Sequence, residues 1–429
     1  MGDPSPAGPP RGALGLLVTP VFGSFFAARL LTSIGVWLHS VVAAIAAFDY
    51  THSAVAVGIV SLVQFTPQLI LAPLSGKWAD RGDVKRQMLI GRVLCAFGSG
   101  SLAVSYLVRP DIDGWAMASI VSSMSLVVGL GLVIGGPAMQ SGIPLLVSRD
   151  ELPAAMALNT APITIGRIAG PAIGAIAAAG LGYEYAFLLA SAMQLAFIAL
   201  VVWIKFPTPE GKDDTEEFSV REAISFVRRD RPTLLILVGV TMLGLGSEPT
   251  VTLAPPLAAE LGRGTESVGA LTSSMGIGAA FGVFLASLAA RHLRNDISAP
   301  GGMMLMAIGL ASCTFPLGML PAFAAFGVIG LGFILAVSAL STLLQMRIPP
   351  VLRGRLMALW LMGFLGSRPL GAMTVGAVAD WTSVHAAFGC VASAMLVAAF
   401  MCRPSQLRNP SSNPGQNEPT PSHELPPEH

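Results

Sequence analysis

The chain has 429 residues, 53% of them hydrophobic and only 11% charged, with a formal net charge of +1 and a mean hydropathy of +0.69. A soluble domain carries about 25% charged residues, so this composition excludes a soluble globular enzyme, and the charge balance offers no basic surface for nucleic acid. A helix that crosses a bilayer takes about 20 residues, which leaves room for twelve crossings, their loops and two tails.

In chain order, residues 1–20 form a Pro/Gly-rich stretch that reads as a disordered tail without the features of a signal peptide. Apolar runs of crossing length follow at 21–48, 54–76, 88–108, 115–147, 155–180, 185–206, 232–257, 268–290, 299–320, 321–346, 355–379 and 384–402. The fourth is longer than a crossing needs, and the ninth and tenth meet at a Leu320-Pro321 turn. Residues 403–429 return to Pro, Ser and Asn, a composition that cannot bury a core. The runs therefore give a six-helix bundle over 21–206, a loop over 207–231 and a second bundle over 232–402. Within the loop, Phe218, Ile224 and Val227 have the spacing of an apolar stripe on a short surface helix, although a solvated linker fits equally well. The four cysteines, Cys95, Cys313, Cys390 and Cys402, fall singly and read as small buried hydrophobes.

Lys and Arg concentrate in alternate loops, which sets the orientation. One set holds Lys77, Arg81, Lys85, Arg86, Arg149, Lys212, Arg221, Arg228, Arg229, Arg231, Arg291, Arg294, Arg347, Arg353 and Arg355, whereas the other offers Arg109 and Arg263. The basic set is expected in the cytoplasm, and an even number of crossings puts both tails there too.

The two halves repeat. Met156-Ala157-Leu158 precedes Arg167 by the same eleven positions that separate Met357-Ala358-Leu359 from Arg368, a register of 201 that also pairs Gly170 with Gly371. Chance matches of Ala and Leu carry no weight in apolar sequence, but an arginine deep in a span at one register in both halves does. Duplicated bundles around a midplane site are a transporter plan.

Polar residues inside the spans are the candidates for function. Arg167 and Arg368 lie near mid-depth, where they would attract an anionic or polyhydroxylated cargo, or else bond carbonyls freed by the neighbouring Pro171 and Pro369. Glu248 is an acid well inside a span and a candidate proton carrier, unless it is the ion-pair partner of a neighbouring cation or a hydrated vestibule acid. His39 is a weaker proton candidate and equally a packing histidine. Gln64 and Arg29 add buried polarity that would contact cargo or cross-link helices. No phosphate-binding loop and no metal-ligand spacing is present, so the chain carries no sign of a cofactor or of ATP-driven pumping.

The loop after the second span reads Gly76-Lys77-Trp78-Ala79-Asp80-Arg81-Gly82, followed by Lys85-Arg86. It resembles the signature loop of the major facilitator superfamily, and the resemblance extends over residues 21–402. The fifth span, with Gly166, Gly170, Pro171 and Gly174, is similar to the Gly-Pro motif of that superfamily's antiporters, although Ala175 stands where the family form has a second Gly. Arg353-Gly354-Arg355 and Arg368-Pro369-Leu370-Gly371 resemble the branch containing enterobactin and macrolide exporters. The resemblance implies an all-α fold of twelve membrane helices in two pseudo-symmetric bundles, in the plasma membrane, usually monomeric. It also implies alternating-access export of amphipathic small molecules on the proton gradient, with drug or macrolide efflux ahead of siderophore export and a solute importer as the alternative direction. The signature-loop residues, Gly166, Gly170, Pro171, Gly174 and Arg353 to Arg355 would then control gating.

Overall fold

In the computed structural model, residues 12–81, 83–108, 114–148, 150–206, 220–316, 318–348 and 353–407 are described. They are helical almost throughout, and they contain no strand. The crossings of the first half are Pro20–Thr51, Ala54–Arg81, Val84–Val108, Gly114–Ser141, Leu152–Leu181 and Tyr183–Val201. In the second half the seventh span is built from Arg231–Ser247, Pro249–Thr252 and Ala254–Glu260, followed by Thr265–His292, Asn295–Ser312, Met319–Arg347, Arg353–Trp381 and Val384–Met401. Ten of these are long and apolar enough to cross by composition alone. The ninth and eleventh carry more polar ends, and they pack along their length against the tenth and the second spans respectively.

Several boundaries differ from the sequence expectation. The fourth span stops at Ser141, and residues 142–148 turn outside it. The ninth and tenth spans separate before Met319, so Pro321 does not make the turn. It lies in the first turn of the tenth helix, where its missing N–H would have had no partner. Parts of both expected tails fold: Ala13–Leu17 and Pro404–Leu407 are short helices, anchored because Leu16 and Leu407 are almost fully buried. The Arg347 guanidinium also donates to the Leu407 carbonyl at 2.8 Å. A short helix does occupy Val220–Arg229, but its Val227 packs into the core of the second bundle rather than onto the membrane surface. Phe218 and the side chain of Ile224 lie outside the described residues. Cys390 is exposed, unlike the other three cysteines.

The repeat expected from sequence is visible as matched helix contacts. Gly91 packs against Gly131 and Gly135, and Gly302 against Gly332 and Ala336. Gly58 meets the backbone of Ala372 across the two halves, and Gly269 meets the backbone of Pro171. Spans one to three correspond to spans seven to nine at a register of 211, and spans four and five to ten and eleven at 201. Each half has its own apolar core, Leu38, Val57, Leu102 and Phe187 in the first and Val240, Leu271, Phe326 and Phe388 in the second. The halves meet along spans two with eleven and five with eight.

Candidate functional site

Proline chemistry shapes the two helices that bring the arginines and the acid together. Pro249 has no N–H for the Leu245 carbonyl, which accepts instead from the Glu248 N–H at 3.2 Å, and the seventh span breaks there. Glu248 thus stands at a helix joint with its side chain fully buried. Pro171 likewise frees the carbonyl of Arg167, and a methyl group at Gly276 of span eight would sit 2.9 Å from that oxygen. Ser273 Oγ donates to the adjacent Ile168 carbonyl at 2.7 Å, tying span eight to span five across the halves.

Arg368 and Glu248 form an ion pair with Nε 2.5 Å from Oε1. The guanidinium also lies over the ring of Phe65, 4.5 Å from its centroid, so span two of the other half closes the pair. Glu248 Oε2 is buried and has no hydrogen-bond partner among the described residues. The carbonyls freed by proline do not hold either arginine. Arg167 lies between the rings of Trp37 and Phe333, 5.2 Å from each centroid, with Met275 Sδ 3.9 Å from Nη2. No carboxylate among the described residues pairs with it.

The two arginines therefore occupy equivalent backbone positions in different chemical surroundings. Each stands fifteen residues beyond the first residue of its span, Leu152 or Arg353, which at ~1.5 Å per residue is about 22 Å along the helix. Gly170 rests on Ile34 and Trp37, and Gly371 rests on Leu245 and Glu248. Trp37 and Glu248 are thus counterparts at the register of 211. From Phe333 a run of rings continues through Phe364, at 5.9 Å, to Trp360, at 5.3 Å from Phe364, and the Trp360 indole N–H is buried without a partner among the described residues.

Other sequence candidates lie elsewhere. His39 is buried inside the first bundle, where Ser99 Oγ lies 3.0 Å from Nδ1 and Ser125 Oγ 3.3 Å from Nε2. Gln64 donates to Ser40 Oγ at 2.8 Å, and Arg29 donates to the Met139 carbonyl at 2.8 Å, both within that bundle. Gly166, Gly170 and Gly174 form a stripe against Ser33, Trp37 and Leu38 of span one, in their own half. The surface turned to the other half is supplied by Pro171 and Ala175, which meet Gly269. Lys85 Nζ donates to the Val202 carbonyl at 2.5 Å, and the Arg86 backbone N–H donates to Asp83. Gly82 lies outside the described residues, and of Gly76, Asp80, Arg81, Arg353, Gly354 and Arg355 only the helical backbone is described.

Sequence reasoning passed over Trp37, Phe65, Phe333 and Arg92. The 211 register would have pointed to Trp37 through Glu248. Arg92 of span three is 1% exposed, donates to Thr32 Oγ1 at 2.8 Å, and leaves Nε and Nη2 without a partner among the described residues.

The profile of a family described as transmembrane secretion effector matches residues 11–427. The chain belongs to this family. It is a multi-pass membrane transporter of the major facilitator fold. Curated relatives include the enterobactin exporter EntS of Citrobacter koseri, 27% identical over 417 residues, which are 94% of this chain and 97% of the relative. The protein of the same name from Salmonella typhimurium is 27% identical over 376 residues, 85% of this chain and 87% of the relative. Among solved structures, the nucleoside transporter NupG is similar with a TM-score of 0.70 at 12% identity, covering 90% of this chain and 100% of that one. A bacterial homologue of the iron transporter ferroportin in an inward-facing state gives 0.69 at 15% identity, covering 90% and 98%. At these identities the structural likeness concerns the fold.

Proposed function

We propose that the transporter exports amphipathic small molecules carrying an anionic group beside an aromatic or apolar body, in exchange for protons. The observation that carries this reading is the unequal equipment of the two arginines. Arg167 has aromatic faces and, among the described residues, no carboxylate in ion-pair contact, so its charge is available to a cargo anion. Arg368 is held by Glu248, whose second oxygen is unsatisfied, so that pair is suited to exchanging a proton. A half-buried guanidinium between rings attracts an anion while the rings accept apolar surface. The rings of Phe333, Phe364 and Trp360 extend this surface towards the end of span eleven near Arg353.

In the cycle we envisage, cargo binds at Arg167 from the cytoplasm while Glu248 is ionised and held by Arg368, and Glu248 takes up a proton from the outer side only after the cargo has left. Release of that proton to the cytoplasm restores the pair and readies Arg167 for the next cargo, so proton and cargo occupy the site in alternation. The basic loops favour a cytoplasmic location for the end near Arg353 and for both termini. The relatives named as enterobactin exporters favour export over import, and a siderophore falls within the cargo chemistry inferred here. The transporter is taken to act as a monomer in the plasma membrane, with the proton gradient as its energy source and no cofactor.

The test is transport in proteoliposomes with an imposed proton gradient, using a panel of anionic aromatic, neutral and cationic amphipaths. Cargo-dependent proton flux, opposite in direction to the cargo and strongest for the anionic aromatics, is expected. Cargo movement indifferent to the gradient would overturn the coupling, and equal preference for cations would overturn the site.

A further inference from the structure

The first turn of span two has an unusual cap. A helix start leaves four N–H groups without intrahelical partners, and residues of the same chain segment ordinarily satisfy them. Here Ser53 Oγ takes the Ala56 N–H at 3.3 Å, while the Ala54 and Val55 N–H groups donate at 2.7 and 3.1 Å to the carboxylate of Asp380. Ser53 Oγ also donates to Asp380 Oδ2 at 2.5 Å. Asp380 belongs to span eleven, in the other half. The negative charge lies at the positive end of the helix dipole, a favourable placement.

The contact continues inwards as close backbone packing. A methyl group at Gly376 would sit 2.6 Å from the Ala54 carbonyl, and one at Gly58 would sit 2.7 Å from the Ala372 carbonyl. These approaches cannot persist if the halves separate at this end. The counterpart of Asp380 at the register of 201 is Ala179, which cannot cap. The capping acid thus exists in one copy of the repeat.

We propose that Asp380 is the outer latch of the transport cycle, a positioning residue that holds the non-cytoplasmic side closed by capping a helix of the opposite half. This rests on the reading of the protein as an alternating-access transporter with cytoplasmic termini. The latch acts on the balance between closed and open outer faces, and cargo contact is not part of its role.

The experiment follows outer-face accessibility with a cysteine at Met373, next to the Gly58 contact, in a Cys390→Ala background. The probe is a membrane-impermeant maleimide added from outside. Asp380→Ala is expected to raise the labelling rate about fivefold, the equilibrium change that loss of an N-cap brings, and Asp380→Asn by less. Gly269→Leu, which wedges the outer contact of spans five and eight, serves as the control. A disulfide between cysteines at Ser53 and Asp380 is expected to stop transport until it is reduced. Unchanged labelling in both Asp380 variants, with Gly269→Leu still raising it, would overturn the latch and leave alternating access standing. Unchanged labelling in all three would overturn both. Transport at the reduced rate while the disulfide is closed would also overturn the latch.

Discussion

Trp37 and Glu248 occupy the same place in the two halves, each against the glycine that follows a membrane-embedded arginine by three residues. In the first half the arginine therefore meets an indole face, and in the second it meets a carboxylate. A duplicated scaffold has become asymmetric through one pair of side chains, and separate tasks for Arg167 and Arg368 follow from that difference.

Glu248→Gln should abolish proton flux and lower the thermal midpoint in detergent, because it leaves the Arg368 charge buried and unpaired. Breaking such a pair from one side costs about 3–5 kcal/mol. Combining Glu248→Gln with Arg368→Gln should recover much of the midpoint without restoring proton flux. A double-mutant cycle of melting curves and pH-gradient dissipation separates the two effects.

Arg167→Gln should weaken binding of anionic aromatic cargo by about tenfold or more, with little effect on neutral amphipaths. A hydrogen bond from a charged group to a cargo anion is worth about 1.5–3 kcal/mol, which sets that magnitude. Arg167→Lys should restore part of the affinity only, since a lysine cannot stack its charge flat between Trp37 and Phe333. Equilibrium binding of one anionic and one neutral cargo checks both statements.

Arg92→Met should keep or raise the melting temperature. The position equivalent to Arg92 at the register of 211 is Met303, fully buried in its own half. Arg92 carries two unpartnered nitrogens in a buried site, and replacing a buried charge by an apolar side chain of similar length is often stabilising. Loss of transport with a higher midpoint would identify a functional demand for this charge.

His39→Phe should reduce stability by about 1–3 kcal/mol through two buried serines left without their partner. Proton flux per cargo should be unchanged, because His39 lies inside one bundle, packed on Phe187. A changed proton-to-cargo ratio in this variant would place the coupling group at His39 instead.

Gly269→Leu and Gly58→Leu should impair transport to a similar degree, since the two glycines are equivalent contacts between the halves. A Cβ at Gly269 would meet Ala175 Cβ at 2.3 Å, and one at Gly58 would meet the Ala372 carbonyl at 2.7 Å. Steady-state export at matched expression, with cargo binding as the second readout, provides the comparison.

Hydropathy and charge alone settled the class of this protein, its twelve helices and its division into two halves. Those features follow from the cost of placing an unpaired backbone or a charge in hydrocarbon, a cost that each segment meets by itself. The repeated arginines were legible for the same reason. Which groups those arginines touch was not legible, because Glu248, Phe65 and Trp37 come from other helices and their approach depends on how the spans rotate and pack. Gln64 and His39 are polar residues inside spans, as Glu248 is, yet helix rotation turns them into their own bundle. Asp380 reads as a solvated residue at a helix end, and only the docking of the two halves brings it to the N–H groups of Ala54 and Val55. Local hydrophobic pattern determines that a helix crosses the membrane; the packing of one helix against another determines what its polar side chains do there.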